Sequence, residues 1–140
     1  DEENRYTALQ NKYRIPYPAT LKRNIIERQS LLLETSLPAF SKQIKKALKR
    51  KDSLALNHRS SEFFASYFDL LFALNEQLHP GEKRMLSYAK KNCTLLPQDF
   101  EANIQAYFQN LYQRDKPQET LDTLNQLLEQ LKNLVETTTI

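Results

Sequence analysis

Hydrophobic residues recur every three or four positions along most of this chain, the spacing of an α-helix with one buried face. The clearest stripe lies near the C-terminus and comprises Leu121, Leu124, Leu127, Leu128, Leu131, Leu134 and Val135. The segment from Phe63 to Leu74 differs, because its apolar residues fall on every face of a helix. We therefore expect a central helix that is buried on all sides and surrounded by amphipathic helices.

Prolines and short polar residues divide this pattern into separate helices. The predicted helices span residues 1–14, 21–34, 36–51, 52–79, 82–92, 96–111 and 117 onwards. The start signals are Thr20, Ser36 followed by Pro38, and Asp52 or Ser53. No strand pattern is visible, and a single glycine leaves little room for hairpins or glycine-rich phosphate loops. The expected fold is one all-α domain over residues 1–140, an antiparallel bundle of five to six helices.

The charges nearly cancel in sum but are unevenly placed. The net charge is +3, which is too small to indicate nucleic-acid binding. Lys42, Lys45, Lys46 and Lys49 nevertheless share one face of the third predicted helix. This lysine row faces either phosphate groups or, as is more common, solvent.

The cysteine content and the hydropathy indicate a cellular context. The one cysteine, Cys93, cannot form an internal disulfide and fits a reducing cytoplasm, where a buried, idle thiol is its commonest role. The acidic N-terminus lacks the pattern of a signal peptide. The longest apolar run is too short for a bilayer and contains Asp69. Because the chain does not begin with Met, we expect a cytoplasmic fragment of a longer protein.

Polar residues gather where the central helix is expected to end. Asn75 and His79 are predicted to lie one helical turn apart on the same face. After a Pro-Gly turn, Lys83 and Arg84 are expected to open the next helix. The helix dipole disfavours cations there unless an anion also binds the free backbone N–H groups. The pattern therefore indicates a bound anion, the alternative being that Asn75 caps its own helix and both cations point to water.

The remaining polar candidates carry weaker signals. Asp69 interrupts the apolar segment and either lines a cleft or, as we favour, pairs with an Arg of the bundle. His58 and Glu62 are one turn apart, but no second histidine is near enough for a metal site. With two histidines in all, no Ser-His-Asp set can be assembled. We predict neither a metal site nor catalytic residues in this chain.

Several of these positions also match a known pattern. Residues 50–52 read Arg-Lys-Asp, residues 72–75 read Phe-Ala-Leu-Asn, and residues 78–84 read Leu-His-Pro-Gly-Glu-Lys-Arg. In this order, around a long apolar helix, they resemble the helical C-terminal domain of bacterial nucleotidyltransferase-fold proteins. That group is distantly related to aminoglycoside and lincosamide nucleotidyltransferases.

The resemblance implies a function and assigns residues to it. In such proteins a preceding catalytic domain holds Mg-NTP with a Gly-Ser turn and paired carboxylates, neither of which occurs in this chain. This chain would then be a nucleotide- and acceptor-binding domain, without its own cofactor and not catalytic alone, whose partners are its N-terminal catalytic domain and the nucleotide. Asn75 would reach the sugar or base, and Lys83 with Arg84 would meet the triphosphate. The accessory positions are His79, Arg50 and Asp52. Arg84 stands where related sequences often carry an aromatic residue.

Two other hypotheses use the same helices differently. In the first, the chain is a helical protein–protein interaction module, and the leucine stripe of the last helix is an interface to a partner or to a second copy. In the second, it is a HEPN-type ribonuclease, which needs a closely spaced Arg-His pair. Arg50 lies too far before His58 for that role, so we rank this hypothesis last. Neither a membrane nor a nucleic acid is expected as a partner.

Overall fold

A computed structural model describes residues 2–35, 39–113 and 115–138 of the chain. Its elements are α1 (Glu2–Lys12), α2 (Ala19–Ser30), a π-helical turn (Leu31–Thr35), α3 (Phe40–Arg50), α4 (Ser53–Leu74), α5 (Met85–Asn92), α6 (Phe100–Leu111) and α7 (Pro117–Thr138). Within these ranges the structure contains no strand, and the predicted all-α fold is confirmed. None of the helices described there combines the length and apolar character needed to cross a membrane.

Helix α4 is the centre of the bundle. Phe63, Tyr67 and Leu71 on this helix are completely buried, as expected for a segment that is apolar on every face. Helices α2 and α3 pack against α4, while α6 packs against α7. The two-residue connection between α3 and α4 makes these helices antiparallel neighbours. Helix α1 buries none of its residues, so the bundle is formed by α2 to α7.

The leucine stripe of α7 belongs to the core. Its fully covered members are Leu124, Leu127, Leu128 and Leu131. The other members pack against the core while partly exposed, and they are Leu121, Leu134 and Val135. The four buried leucines therefore pack inside the molecule and do not form an exposed interface, while the interaction-module hypothesis stays a prediction.

Of the predicted helix-start residues, one caps its helix, one does not, and one pair lies outside the described residues. The Asp52 carboxylate accepts a hydrogen bond of 3.0 Å from the Ala55 N–H and caps α4, as predicted. Helix α2 begins two residues earlier than expected, at Ala19 with Pro18 at its N-cap, so Thr20 lies inside the helix and does not cap it. The predicted start at Ser36 and Pro38 lies outside the described residues.

The prediction that α4 continues to about His79 is wrong, because the helix ends at Leu74. Glu76 adopts a left-handed backbone with φ of 55°. The Glu76 N–H donates to the Ala73 carbonyl at 3.1 Å, and the Gln77 N–H donates to the Phe72 carbonyl at 2.9 Å. These two bonds close the helix as a Schellman motif, which normally has glycine at the left-handed position. Because glutamate occupies it here, the sequence carried no visible stop signal.

Candidate functional site

The Asn75 side chain fastens the end of α4 to the segment that follows α5. Its Nδ2 donates to the Leu71 carbonyl at 2.9 Å and to the Leu95 carbonyl at 2.8 Å. Its Oδ1 accepts from the Leu95 N–H at 2.8 Å. Both amide protons are therefore used within the protein. This arrangement goes beyond the alternative that Asn75 caps its own helix, because two of the three bonds reach a distant segment.

His79 lies in the loop after α4, so the prediction that it shares a helical face with Asn75 is wrong. Its Nδ1 accepts a hydrogen bond from the Gly81 N–H at 3.0 Å, and its Nε2 lies 3.5 Å from Oδ1 of Asp69. Its ring also meets Phe72 edge to face, with the centroids 5.4 Å apart. These contacts fold the loop back along α4, away from the Asn75 end of the helix.

Asp69 contacts Gln29 and His79, and among the residues that the structure describes no Arg pairs with it, contrary to our expectation. Besides His79, it accepts a hydrogen bond of 3.2 Å from Nε2 of Gln29 on α2. Burial raises the pKa of the nearby Tyr17 phenol, and the negative charges of Asp69 and Glu76 raise it further. The cluster therefore joins α2, α4 and the loop, which is a structural role.

Lys83 and Arg84 precede α5, whereas we expected them in its first turn. Arg84 has a left-handed backbone with φ of 58° at the N-cap, and both side chains are exposed. Helix α5 has eight residues and is thus about 12 Å long. Asn75 is fastened to Leu95 beyond its C-terminal end, while the two cations stand before its N-terminal end. Asn75 and the two cations therefore lie at opposite ends of α5. The nucleotide-binding role of all three residues stays a prediction.

Arg84 instead borders a hollow between α4, α5 and α6, which we call the α4–α6 hollow. Its volume is about 510 Å³. Its apolar lining consists of Phe64, Phe68, Met85, Leu86, Ile104 and Phe108. Its polar lining consists of Glu82, Arg84, Gln105 and Gln109. The hollow thus combines an aromatic floor with one cation, one carboxylate and two amides.

Phe108 is the most accessible aromatic group of the α4–α6 hollow. Its ring is stacked on that of Phe64 at 5.0 Å between centroids and 27° between planes, and 45% of the residue is exposed. Phe108, Gln105 and Gln109 were not among the candidate site residues that the sequence indicated. The available signal was an amide pair one helical turn apart beside an aromatic residue, a pattern that many solvated helix faces share.

The remaining predicted residues lie near the turn between α3 and α4. Nη2 of Arg50 is 3.9 Å from Oδ2 of Asp52, the carboxylate that caps α4. Asp52 therefore has a structural function, and Arg50 is its exposed neighbour. His58 pairs with Glu62 at 3.8 Å on the surface of α4.

Apart from the half-buried Tyr17, the ionisable groups with shifted pKa values are buried. Burial raises the pKa of Tyr107 to about 12, although a hydrogen bond to Ser60 opposes this change. Burial also raises the pKa of Tyr67 and that of the Cys93 thiol. Cys93 is free and buried, in agreement with the idle thiol that we expected. In the described part of the chain, no three His, Cys, Asp or Glu residues form a group that could hold a metal ion.

Comparisons with protein families, with curated proteins and with solved structures found no match to this chain.

Proposed function

We propose that this chain is a nucleotide-binding helical domain of a nucleotidyltransferase and that it is not catalytic alone. The observation that carries the proposal is the α4–α6 hollow, where Arg84 stands at the edge of an aromatic floor. Its volume of about 510 Å³ lies in the usual range of ligand sites, about 300–1,000 Å³. Its mainly apolar lining with a few polar groups is also typical of such sites.

In this proposal the base stacks on Phe108. A stacked base contributes about 1–3 kcal/mol on an aromatic side chain, and the contact tolerates any base because each has a flat π-face. The amides of Gln105 and Gln109 lie on the same exposed side of α6 and offer both donors and acceptors to the edge of the base. The hollow would thus hold the nucleoside part of the ligand.

The phosphates would lie toward Lys83 and Arg84, at the mouth of the hollow. Charge-assisted hydrogen bonds from Arg to phosphate are stronger than neutral ones and can be bidentate. Phosphoryl-group transfer depends mainly on positioning and charge stabilisation. Mg-NTP chemistry and acceptor activation would therefore belong to a separate catalytic domain, while this domain supplies contacts to the nucleotide and to the acceptor.

Titration of the protein with Mg-ATP, followed by calorimetry, tests the proposal. We expect Arg84→Ala to weaken binding about tenfold, because it removes a charge-assisted contact of about 1.5 kcal/mol or more. Gln109→Ala should weaken it by a smaller factor. Lys91→Ala is the matched control, since Lys91 is an exposed cation on α5 outside the hollow. Equal affinity of the wild type and Arg84→Ala, or an equal loss in Lys91→Ala, would contradict the proposal.

A second candidate function is a partner-binding module, and the exposed apolar residues of the N-terminal segment favour it. Tyr6 is 72% exposed, Tyr13 70% and Ile15 75%, and α1 has no buried residue. Large exposed apolar groups in one segment often mark an interaction surface. The candidate partners are the catalytic domain itself and a second copy of the chain. Light scattering over a range of concentrations, on the wild type and on Tyr6→Ser/Tyr13→Ser, tests the second copy, and a constant monomeric mass would exclude it.

A further inference from the structure

A small notch between α3 and α4 is lined mainly by cations. Gln43, Lys46 and Arg50 contribute from α3, and Ala55 and Arg59 contribute from α4. On each helix these positions are three or four residues apart, so their side chains point to one side of the contact between the helices. Ala55 has the smallest of these side chains and leaves space between the longer ones. The notch has a volume of about 180 Å³.

The positive charge around the notch exceeds the negative charge. Arg50 lies 3.9 Å from Asp52, and Arg59 donates to Glu62 at 2.6 Å. Lys46 forms no ion pair with any residue that the structure describes. Helix α3 also has no acidic residue, while its lysine row adds further positive charge. Each guanidinium has more N–H donors than its one carboxylate partner uses, and the charge of Lys46 is not compensated, so a bound anion would be favoured at the notch.

We propose that this notch binds a phosphate group through Lys46, Arg50 and Arg59. Arginine and lysine differ in geometry, since the guanidinium presents a planar fork of donors and the ammonium a mobile point charge. Together they can surround a tetrahedral oxyanion from two helices. The site is separate from the α4–α6 hollow and does not depend on the function proposed for it.

The size and exposure of the notch decide what kind of ligand it fits. Its volume is below the range of about 300 Å³ and more that holds a drug-sized molecule, so one anionic group fits better than a whole nucleotide. The Arg59 side chain is 37% exposed and that of Arg50 is 59% exposed. Binding should therefore be weak and sensitive to salt, because solvent and ions screen exposed charges.

A phosphate titration followed by NMR tests the site. We expect the backbone amides of Lys46, Arg50 and Arg59 to shift together with one dissociation constant at low ionic strength. Lys46→Gln/Arg50→Gln should weaken phosphate binding by about tenfold or more, since it removes two charge-assisted contacts. Circular dichroism of the variant shows whether the fold is retained.

The matched control removes the same charge outside the notch. Lys45→Gln/Lys49→Gln changes two exposed lysines of α3 that do not line it. We expect this variant to lose less than about threefold in affinity, since only long-range attraction is reduced. An equal loss in both double variants would overturn the proposal, because the whole α3 face would then attract anions without a defined site. Absence of saturable binding to the wild type would overturn it as well.

The source of the phosphate group is decided by a second titration. Inorganic phosphate and a nucleoside monophosphate present the same oxyanion, one free and one as an ester. If the ester binds at least as tightly as free phosphate, and the shifted amides are the same, the notch takes esterified phosphate. If the ester binds more weakly at these residues, the notch takes free phosphate. If the ester shifts only residues of the α4–α6 hollow while inorganic phosphate shifts none, the proposed site is refuted.

Discussion

Asn75→Ala provides the sharpest test of how the loop after α4 is held. The substitution removes three hydrogen bonds of 2.8–2.9 Å and leaves both backbone groups of Leu95 without their partner. A typical hydrogen bond contributes about 1 kcal/mol net, and these are partly buried. We expect the free energy of unfolding to fall by roughly 2–3 kcal/mol. That is a substantial share of the roughly 5–15 kcal/mol that holds a domain of this size.

Urea unfolding followed by circular dichroism measures the loss. Thermal unfolding should show a melting temperature lower by roughly 5–10 °C, at about 2–4 °C per kcal/mol. Asn125→Ala is the control, because Asn125 is an exposed asparagine on α7, and it should not lower stability. Hydrogen exchange at the Leu95 amide should become faster in Asn75→Ala alone.

The reasoning would be refuted by an unchanged unfolding free energy together with an unchanged Leu95 exchange rate. If stability holds but Mg-ATP affinity falls, the residue contacts ligand, as the sequence resemblance implies. If stability falls and affinity falls only in proportion to the unfolded fraction, the side chain is structural. The two roles of Asn75 can therefore be separated in one variant.

Three further outcomes are expected. Lys51→Gly should raise the free energy of unfolding, measured by urea denaturation, by about 1 kcal/mol. The reason is that Lys51 ends α3 with a left-handed φ of 54°, which glycine adopts freely. Tyr107→Phe should lower the free energy of unfolding by about 1 kcal/mol, because it removes the 2.6 Å hydrogen bond to Ser60. Since the pKa of Tyr107 rises from 10.0 unfolded to about 12 folded, its contribution is complete below pH 10 and is lost as the pH rises toward 12. The urea concentration at the midpoint of unfolding should therefore fall above pH 10. The fall should be less steep for Tyr107→Phe than for the wild type.

Exposed cations line both of the proposed sites. The raised pKa values belong to the buried Tyr67, Tyr107 and Cys93 and to the half-buried Tyr17, so these groups remain protonated near neutral pH. The exposed arginines and lysines attract anions through their positive charge. Both proposed sites, the α4–α6 hollow and the notch of α3 and α4, depend on these exposed cations.

The candidate site was predictable only in part. The sequence pointed to Arg84 as a ligand-facing cation, and the structure places it on a hollow. The sequence could not reveal that Phe108 and Gln109 line the same hollow as Arg84, because these residues belong to α6, which meets α5 only through packing. The sequence pattern also predicted that Asn75 and Arg84 lie close together, because it indicated that α4 continues to about His79. The left-handed backbone of Glu76 ends the helix earlier and prevents that arrangement.

The sequence by itself determined the helical class, the burial of most of the segment from Phe63 to Leu74 of α4, the leucine stripe of α7 and the start of α4 at Asp52 or Ser53. These features depend on local spacing and on residues a few positions apart, which a single chain displays directly. Only the tertiary structure decided where α4 stops, which backbone groups satisfy Asn75 and which side chains share a hollow. Those outcomes depend on contacts between residues far apart in the chain, such as Asn75 with Leu95 and Gln29 with Asp69. Such contacts leave no periodic trace in the sequence.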